Sequence, residues 1–332
     1  MRRLDLSEYE LSERLGVGTV GTIFLARKKE SDEVYAVKFL SHAVSNNELI
    51  VSRFHREMLI LEKLAHTNIL AYYGGGKHDD QLFYIMEYIG GGTLKDLLSK
   101  GGPLSWREAA ESARQIAAAL QHAHNHGIIH RDLKPGNVFI TETGELKLGD
   151  FGIARDTHSA DLTEAGLTVG TYSYMAPELV RGERAITGHV DLYALGCLLF
   201  ELLTGKPPFQ GDNFAQIFDQ HLKATAPSVR HLGVDCPAGL DELIQQLLAK
   251  SPEDRPFNAR TVQGVLGDLL HRQDSALPVE DQSASEVTAQ QMLSARVTGQ
   301  VTTHRTEVSW GKLGWCIALI VAVIGIAVFA NR

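Results

Sequence analysis

The sequence predicts an α+β fold of two lobes, a small antiparallel β-rich lobe with one key helix and a larger, mainly helical lobe, followed by a C-terminal transmembrane helix. Three observations point there. Short β-favouring runs at 22–27, 34–39, 69–73 and 81–87 alternate with glycine-rich or charged turns in the N-terminal part. Helix caps and helical periodicity take over from Leu94 onward. Residues 313–330 carry no charge, and as a helix they would span roughly 27 Å, close to a hydrocarbon core of about 30 Å.

A chain of 332 residues is too long for one ordinary core, and 44% apolar residues exclude disorder throughout. The formal net charge of −8 provides no global basic field, so no nucleic-acid partner is expected. Cys197, Cys236 and Cys316 have neither CxxC nor metal-ligand spacing, which fits a reducing compartment, with buried packing as the role of Cys197 and Cys236 and with Cys316 in the apolar tail. The opening Met1-Arg2-Arg3-Leu4-Asp5-Leu6-Ser7-Glu8 turns acidic where a secretory signal turns apolar, so the main domain is expected in the cytoplasm.

In chain order, Gly16-Val17-Gly18-Thr19-Val20-Gly21 suits either a dinucleotide fold or a hairpin flap over phosphates. The following Thr22-Ile23-Phe24-Leu25-Ala26 favours a strand over a helix, which selects the flap. The next strand sets Lys38 among apolar neighbours, where the bland reading is a snorkelling edge lysine. Against it, Phe54, Met58 and Leu61 form an inward stripe on a helix over 49–64, and Glu57 shares that face, where a carboxylate needs a cation. Residues 69–73 and 81–87 read as strands around a turn at 74–80, and 87–92 as the connector between lobes. A short helix over 94–98 precedes a longer one, opened by the capping-box pair Ser105 and Glu108 and closed by Gly127. His122, His124 and His126 near its end invite a metal reading, but the glutamate of a zinc-binding helix is missing.

The chemistry concentrates in His130-Arg131-Asp132-Leu133-Lys134-Pro135-Gly136-Asn137 and in Asp150-Phe151-Gly152. Between them, 138–140 and 146–148 read as paired strands around a turn at 142–145. Taken singly, Asp132, Asn137 or Asp150 is most simply a turn former or helix cap. Together they supply a carboxylate to receive a hydroxyl proton and oxygen ligands to hold a divalent metal against anionic phosphates, as phosphoryl transfer requires.

With the flap, Lys38, Glu57 and these two segments in this order, the region from Tyr9 to Leu270 resembles the eukaryotic-type (Hanks-type) serine/threonine protein kinases and is similar to their membrane-anchored bacterial members. The resemblance implies a kinase domain over 9–271, with an N-lobe of about 9–88 and a C-lobe of about 93–271. It implies ATP as phosphoryl donor, Mg²⁺ as the metal with Mn²⁺ as a substitute, and proteins with serine or threonine acceptors as substrates. On that pattern Gly16, Val17, Gly18 and Gly21 cover the phosphates, and Ile23, Ala36, Met86 and Phe139 surround the adenine, whose edge is read by the hinge backbone at Glu87 and Ile89. Lys38 reaches the phosphates while paired with Glu57, and Asn137 and Asp150 hold the metal. Asp132 receives or orients the acceptor proton, and Lys134 neutralises the transferring group and goes with serine/threonine rather than tyrosine acceptors. A pseudokinase scaffold and an ATP-dependent small-molecule phosphotransferase are the alternatives. The presence of all of Lys38, Glu57, Asp132, Asn137 and Asp150 weighs against the first, and Ala176-Pro177-Glu178 with Lys134-Pro135 against the second.

The segment leading to Ala176 is rich in hydroxyls, and Arg131 directly precedes Asp132. The resemblance implies autophosphorylation at Thr163 or Thr168, with Thr171 unmodified and positioning Asp132. It also implies that Asp191 holds the catalytic loop from below and that Arg255 pairs with Glu178.

Residues 272–312 are polar and read as a low-order juxtamembrane linker, in which Thr288, Thr298, Thr302, Thr303 and Thr306 are further candidates for phosphorylation. The stretch 313–330 is then a single-pass C-terminal anchor with the kinase domain on the cytoplasmic side. Gly314, Ala318 and Ala322 make a small-residue stripe of the kind that pairs membrane helices, so a homodimer is a candidate state.

Overall fold

Five strands, β1 (Tyr9–Val17), β2 (Gly21–Lys28), β3 (Val34–Leu40), β4 (Tyr72–His78) and β5 (Gln81–Glu87), form one antiparallel sheet in the order β1-β2-β3-β5-β4. The computed structural model describes residues 3–17, 21–45, 51–52, 58–59, 61–62, 64–151, 172–274 and 288–299. The fold belongs to a unit spanning Met1–Thr298, with Gly299–Arg332 forming a separate unit.

The sheet is covered on both faces, which explains why β5 reads as a continuous apolar run. Val37, Phe83 and Ile85 pack with Leu6 and Tyr9 on one side. Ala36, Leu40, Leu82, Tyr84 and Met86 join Met58 and Leu61 on the other. Met58 and Leu61 are the two described members of the expected inward stripe, and both are buried. Phe54 and Glu57 lie outside the described residues. Gly21 is demanded by strand pairing itself, since a Cβ there would stand 1.9 Å from the Phe39 carbonyl oxygen.

The fourth strand departs from the sequence expectation. The expected strand at 69–73 and turn at 74–80 become a strand from Tyr72 to His78, with only Asp79 and Asp80 at the bend. Both aspartates adopt positive φ, 44° and 62°, as a two-residue hairpin with primed geometry requires. The three glycines sit inside the strand because other backbone comes close: Leu4 N donates to Gly75 O at 3.0 Å, and a Cβ on Gly75 would lie 2.3 Å from Phe83 O.

The second lobe is built on α1 (Leu94–Gly101), α2 (Trp106–Asn125), α3 (His189–Thr204), α4 (Phe214–Lys223), α5 (Ala238–Leu247) and α6 (Ala259–Asp274). Ser105 and Glu108 form the anticipated capping box of α2. Helix α3 is apolar nearly all round and is accordingly central, with Leu195, Cys197, Leu198, Leu199 and Leu202 fully buried. It ends at Gly205 in the left-handed region, φ 77°. Burial raises the pKa of the Cys197 thiol, and Cys236 is buried as well, as expected of both. The short strands β6 (Val138–Ile140) and β7 (Leu146–Leu148) pair as read, Val138 opposite Leu148.

The tail departs from its expected low order at α7 (Ala289–Val297), which packs on the helical lobe and buries Leu293 completely. Thr288 opens it in a capping box with Gln291, so local polar pairing offsets a sequence poor in large apolar groups. Among the described residues no helix is long and apolar enough to cross a membrane, and 313–330 lies outside them.

Candidate active site

The geometry starts from β3. Its pairing places Lys38 opposite Ile23 of β2 and opposite Tyr84 of β5, so one side chain of each strand meets the same region. Lys38 Nζ reaches Asp150 Oδ1 at 2.5 Å, and Tyr84 Oη donates to the same oxygen at 3.3 Å. Burial works to raise the Asp150 pKa, but the Lys38 ammonium and these hydrogen bonds outweigh it and hold the carboxyl below the usual aspartate value. Burial and the Asp150 charge push the Tyr84 phenol far up, so it remains a donor. Asp150 itself has φ 50°, a backbone conformation rare for a residue with a side chain and one that the surrounding contacts must hold. Glu57, expected to pair with Lys38, lies outside the described residues, as does Gly18 of the flap.

The loop after α2 presents the second half of the site. Lys134 Nζ donates to Asp132 at 3.0 and 3.3 Å. Asn137 Nδ2 donates to the Asp132 carbonyl oxygen at 2.7 Å and to its Oδ2 at 3.1 Å. The Asn137 carbonyl in turn accepts from Gly149 N at 3.0 Å, which ties this loop to the residue preceding Asp150. Gly149 is required there: a Cβ would stand 2.3 Å from Leu70 Cδ1 and 2.9 Å from the Phe139 ring.

A buried polar network fixes the loop from beneath. Asp191, wholly inaccessible, accepts from His130 N, Arg131 N and His124 Nε2, each at 2.8 Å. Burial opposes its charge, yet the His124 hydrogen bond and its neighbours keep its pKa below the usual value. Arg131 takes φ 63° over these bonds. His130 accepts from Asp132 N through Nδ1 at 3.2 Å, so its proton sits on Nε2 and is donated to Gly149 O at 2.9 Å. Burial lowers the His130 pKa and keeps the ring neutral, and that ring packs against Phe151 with centroids 4.7 Å apart. Lower in the lobe, Arg255 grips Glu178 through two bonds of 2.6 and 2.8 Å, the pair that the resemblance implies.

The residues expected around an adenine lie on β2, β3, β5 and β6. Ala36 and Met86 are buried and paired across β3 and β5. Phe139 is bridged to Thr93 at the end of the connector, and Ile140 N donates to Gly92 O at 3.0 Å. The Glu87 carboxylate is engaged with Ala71 N at 3.2 Å and Lys147 Nζ at 3.0 Å, so its side chain anchors the connector and leaves only its backbone for a ligand. Gly16 and Val17 lie at the end of β1 beside the flap, and a Cβ on Gly16 would find nothing within 4 Å, so internal packing does not explain that glycine.

Three contributors escape a reading of the sequence. Tyr84 hides in an apolar strand, Gly149 looks like one more loop glycine, and His124 suggests only a metal ligand. His122 instead stacks with His66 and His126 at 5.0 and 4.7 Å between centroids. Among the described residues no cluster of three or more His, Cys, Asp or Glu is arranged to hold a metal. Asn137 and Asp150 nevertheless suit a hard divalent cation, which takes one or two protein oxygens and completes its shell with phosphates and water.

Comparison with known proteins identifies the family. A family model described as "Protein kinase domain" matches residues 9–265. The serine/threonine-protein kinase PrkC of Bacillus subtilis is 37% identical over 247 residues, covering 74% of this chain and 38% of PrkC. The chain spans less than half the length of such curated relatives. Among solved structures, Rad53 1-466 in complex with AMP-PNP superposes with a TM-score of 0.66 at 27% identity, covering 77% of this chain and 64% of that one. The Mycobacterium tuberculosis PknI kinase domain, solved as a point mutant, gives 0.63 at 28%, covering 79% and 96%. A two-lobed fold joined at 87–92, an aspartate–lysine–asparagine loop bound to a second aspartate, and a domain-length family match place this chain in the protein kinase family, among the Hanks-type serine/threonine kinases.

Proposed function

We propose that the chain transfers the γ-phosphate of ATP to serine and threonine hydroxyls of proteins. The observation that carries this reading is the junction of two half-sites: Asn137 joins Asp132 to Gly149, and Gly149 precedes the Asp150 that Lys38 holds. That junction ties the loop that carries the proposed proton acceptor to the residue preceding the carboxylate that Lys38 holds, which leaves the two half-sites little freedom to drift.

In the proposed reaction the acceptor hydroxyl lies at Asp132, which orients it and takes its proton as the bond to the γ-phosphorus forms and the bond from that phosphorus to the β,γ-bridging oxygen breaks, releasing ADP. Lys134, already within hydrogen-bond reach of that carboxylate, compensates charge on the group in transit. Lys38 holds the non-transferred phosphates, and Glu57 is its second partner by family pattern. Asn137 and Asp150 would hold Mg²⁺, with Mn²⁺ able to replace it. When bound, the metal would supply charge neutralisation at the phosphates. Gly16, Val17, Gly18 and Gly21 would close over the phosphates, and Ile23, Ala36, Met86 and Phe139 would enclose the base while the backbone at Glu87 and Ile89 reads its edge. The similar Rad53 structure is of a complex with AMP-PNP, which supports a nucleotide as the ligand class. Autophosphorylation at Thr163 or Thr168, membrane attachment through 313–330 with the kinase domain in the cytoplasm, and pairing along Gly314, Ala318 and Ala322 complete the proposal. Each rests on the sequence pattern.

Radiolabelled ATP with the chain alone and with a generic basic protein tests it. Wild type should label serine and threonine in both, and Asp132→Asn and Lys38→Ala should fall by about 10²-fold or more. Equal label with Asp132→Asn, or label on tyrosine alone, defeats the proposal. Alkaline extraction of membranes tests the anchor separately.

A further inference from the structure

Helix α7 lies against the outside of the nucleotide-binding region. Leu293 is fully buried in the helical lobe's core, with Val297 packed beside it. Arg296 reaches the α1–α2 connection: Nε donates to Glu108 Oε1 at 2.7 Å, Nη2 to Glu108 Oε2 and to Pro103 O at 3.3 Å, and Nη1 to Gly101 O at 3.3 Å. Glu108 is itself buried, so this guanidinium is the cation that its carboxylate requires. The other end clasps the β6–β7 turn. Ser294 Oγ donates to Glu142 O at 2.5 Å, Gln290 Nε2 to Thr143 O at 3.3 Å, and a Cβ on Gly144 would stand 2.2 Å from Gln290 O. At the connector, a Cβ on Gly91 would lie 3.0 Å from Val297 Cγ1 and 2.2 Å from Ile140 O.

Two of the three segments touched, the connector and the β6–β7 hairpin, also carry Ile89 and Phe139. We propose that residues 288–298 are a docking peptide built into the chain, seated in cis in a groove formed by the connector, the α1–α2 connection and the β6–β7 turn, where it braces the nucleotide floor from outside. So short a helix has little stability of its own in water, so its order comes from the groove and is lost when the groove contacts are lost. Undocking exposes Leu293, loosens the turn that supports Phe139 and frees the connector at Gly91. The groove is thereby a point at which the tail controls how firmly the site is held.

Hydrogen exchange on the full chain tests this without reference to catalysis, so its outcome is separable from that of the proposed activity. In Leu293→Asp and Arg296→Glu, amides at 89–92, 101–104 and 141–146 should exchange about tenfold faster, with the rest of the domain protected. A synthetic peptide of residues 288–298 should restore protection to Leu293→Asp, and the same peptide carrying L293D should not. KM for ATP should rise about threefold or more at unchanged kcat. Unchanged exchange in both variants overturns the proposal, as does protection in the wild type that vanishes on dilution, which would place the helix in a second copy's groove. Should Leu293→Asp unfold the whole domain, seen as uniform loss of protection, Arg296→Glu alone decides.

Discussion

Lys38 and Asp150, 112 residues apart in the chain, meet at 2.5 Å, and the phenol of Tyr84 shares the same carboxylate oxygen. The partly buried ammonium is what keeps Asp150 ionised against the penalty of its surroundings. Because the folded pKa is depressed, the stability this aspartate contributes is present above its unfolded value, near 3.9, and is lost as pH falls through the folded one. Lys38→Met leaves burial unopposed by a cation, so the Asp150 pKa should rise. The acid limb of Mg²⁺-nucleotide binding, followed with a fluorescent nucleotide, should move to higher pH in the variant, in addition to an overall loss of affinity. An unmoved midpoint would show that the ammonium does not set the charge of Asp150.

Tyr84→Phe is the milder counterpart. The ring and its packing remain and the hydroxyl that donates to Asp150 is removed, so stability should fall by about 1 kcal/mol in urea unfolding. The acid limb should shift in the same direction as in Lys38→Met and by less, because the lost bond favoured the ionised form. A loss of stability as large as that of a core truncation would mean that the phenol supports the fold rather than the carboxylate.

Asp191 holds the backbone of two consecutive residues and the His124 ring with its two oxygens. Asp191→Asn keeps the volume but offers one acceptor oxygen, so one donor is left unpaired or must find the amide nitrogen in its place. The expected cost is about 1–3 kcal/mol. Its distinguishing sign is faster amide exchange at His130 and Arg131, since the φ 63° of Arg131 is then held less firmly. Turnover should fall more than KM for ATP rises, because the loop carries Asp132 whereas the adenine-side residues lie elsewhere.

Much of this architecture is legible in the sequence because local chemistry and tertiary use agree. The 138–140 and 146–148 runs alternate around a glycine turn and pair as read. Ser105 and Glu108 announce a helix start with a local hydrogen-bond code. Misreadings arise where a distant contact decides. The glycines of β4 look like a turn until the Leu4 backbone and Phe83 are placed against them. His124 acquires meaning only from Asp191, 67 residues later. The capping box of Thr288 and Gln291 is readable, yet the order of α7 depends on Glu108 and the β6–β7 turn, which a polar composition does not announce.

The Glu178–Arg255 pair makes a prediction about coupling rather than about activity. Both side chains are buried, and Arg255 also donates to the carbonyls of Ala249 and His189 at 2.9 Å, so removal of either partner strands a charge with polar groups around it. Arg255→Leu alone should destabilise by about 3–5 kcal/mol in urea unfolding. The double variant Glu178→Gln with Arg255→Leu should lose clearly less than the sum of the two single losses, because it leaves no uncompensated carboxylate. Strict additivity would show that the two residues act separately and that the short bonds between them contribute little.

The proposed nucleotide floor supplies the last test. Gly149 is not in a left-handed conformation, so what excludes a side chain there is space: the new methyl of Gly149→Ala meets Leu70 Cδ1 at 2.3 Å and the Phe139 ring at 2.9 Å. Leu70 belongs to the packed core and yields at a cost of about 1–3 kcal/mol. Phe139 is only partly buried and is the easier neighbour to displace, so the floor should tilt before the core opens. ATP affinity measured by titration calorimetry should then drop several-fold at temperatures well below the unfolding transition. The Leu70→Ala, Gly149→Ala double variant, with room restored beside the methyl, should recover part of that affinity even though Leu70→Ala destabilises the protein by itself. Absence of any recovery would locate the effect of Gly149 in its backbone bond to Asn137 rather than in the ring it lies beneath.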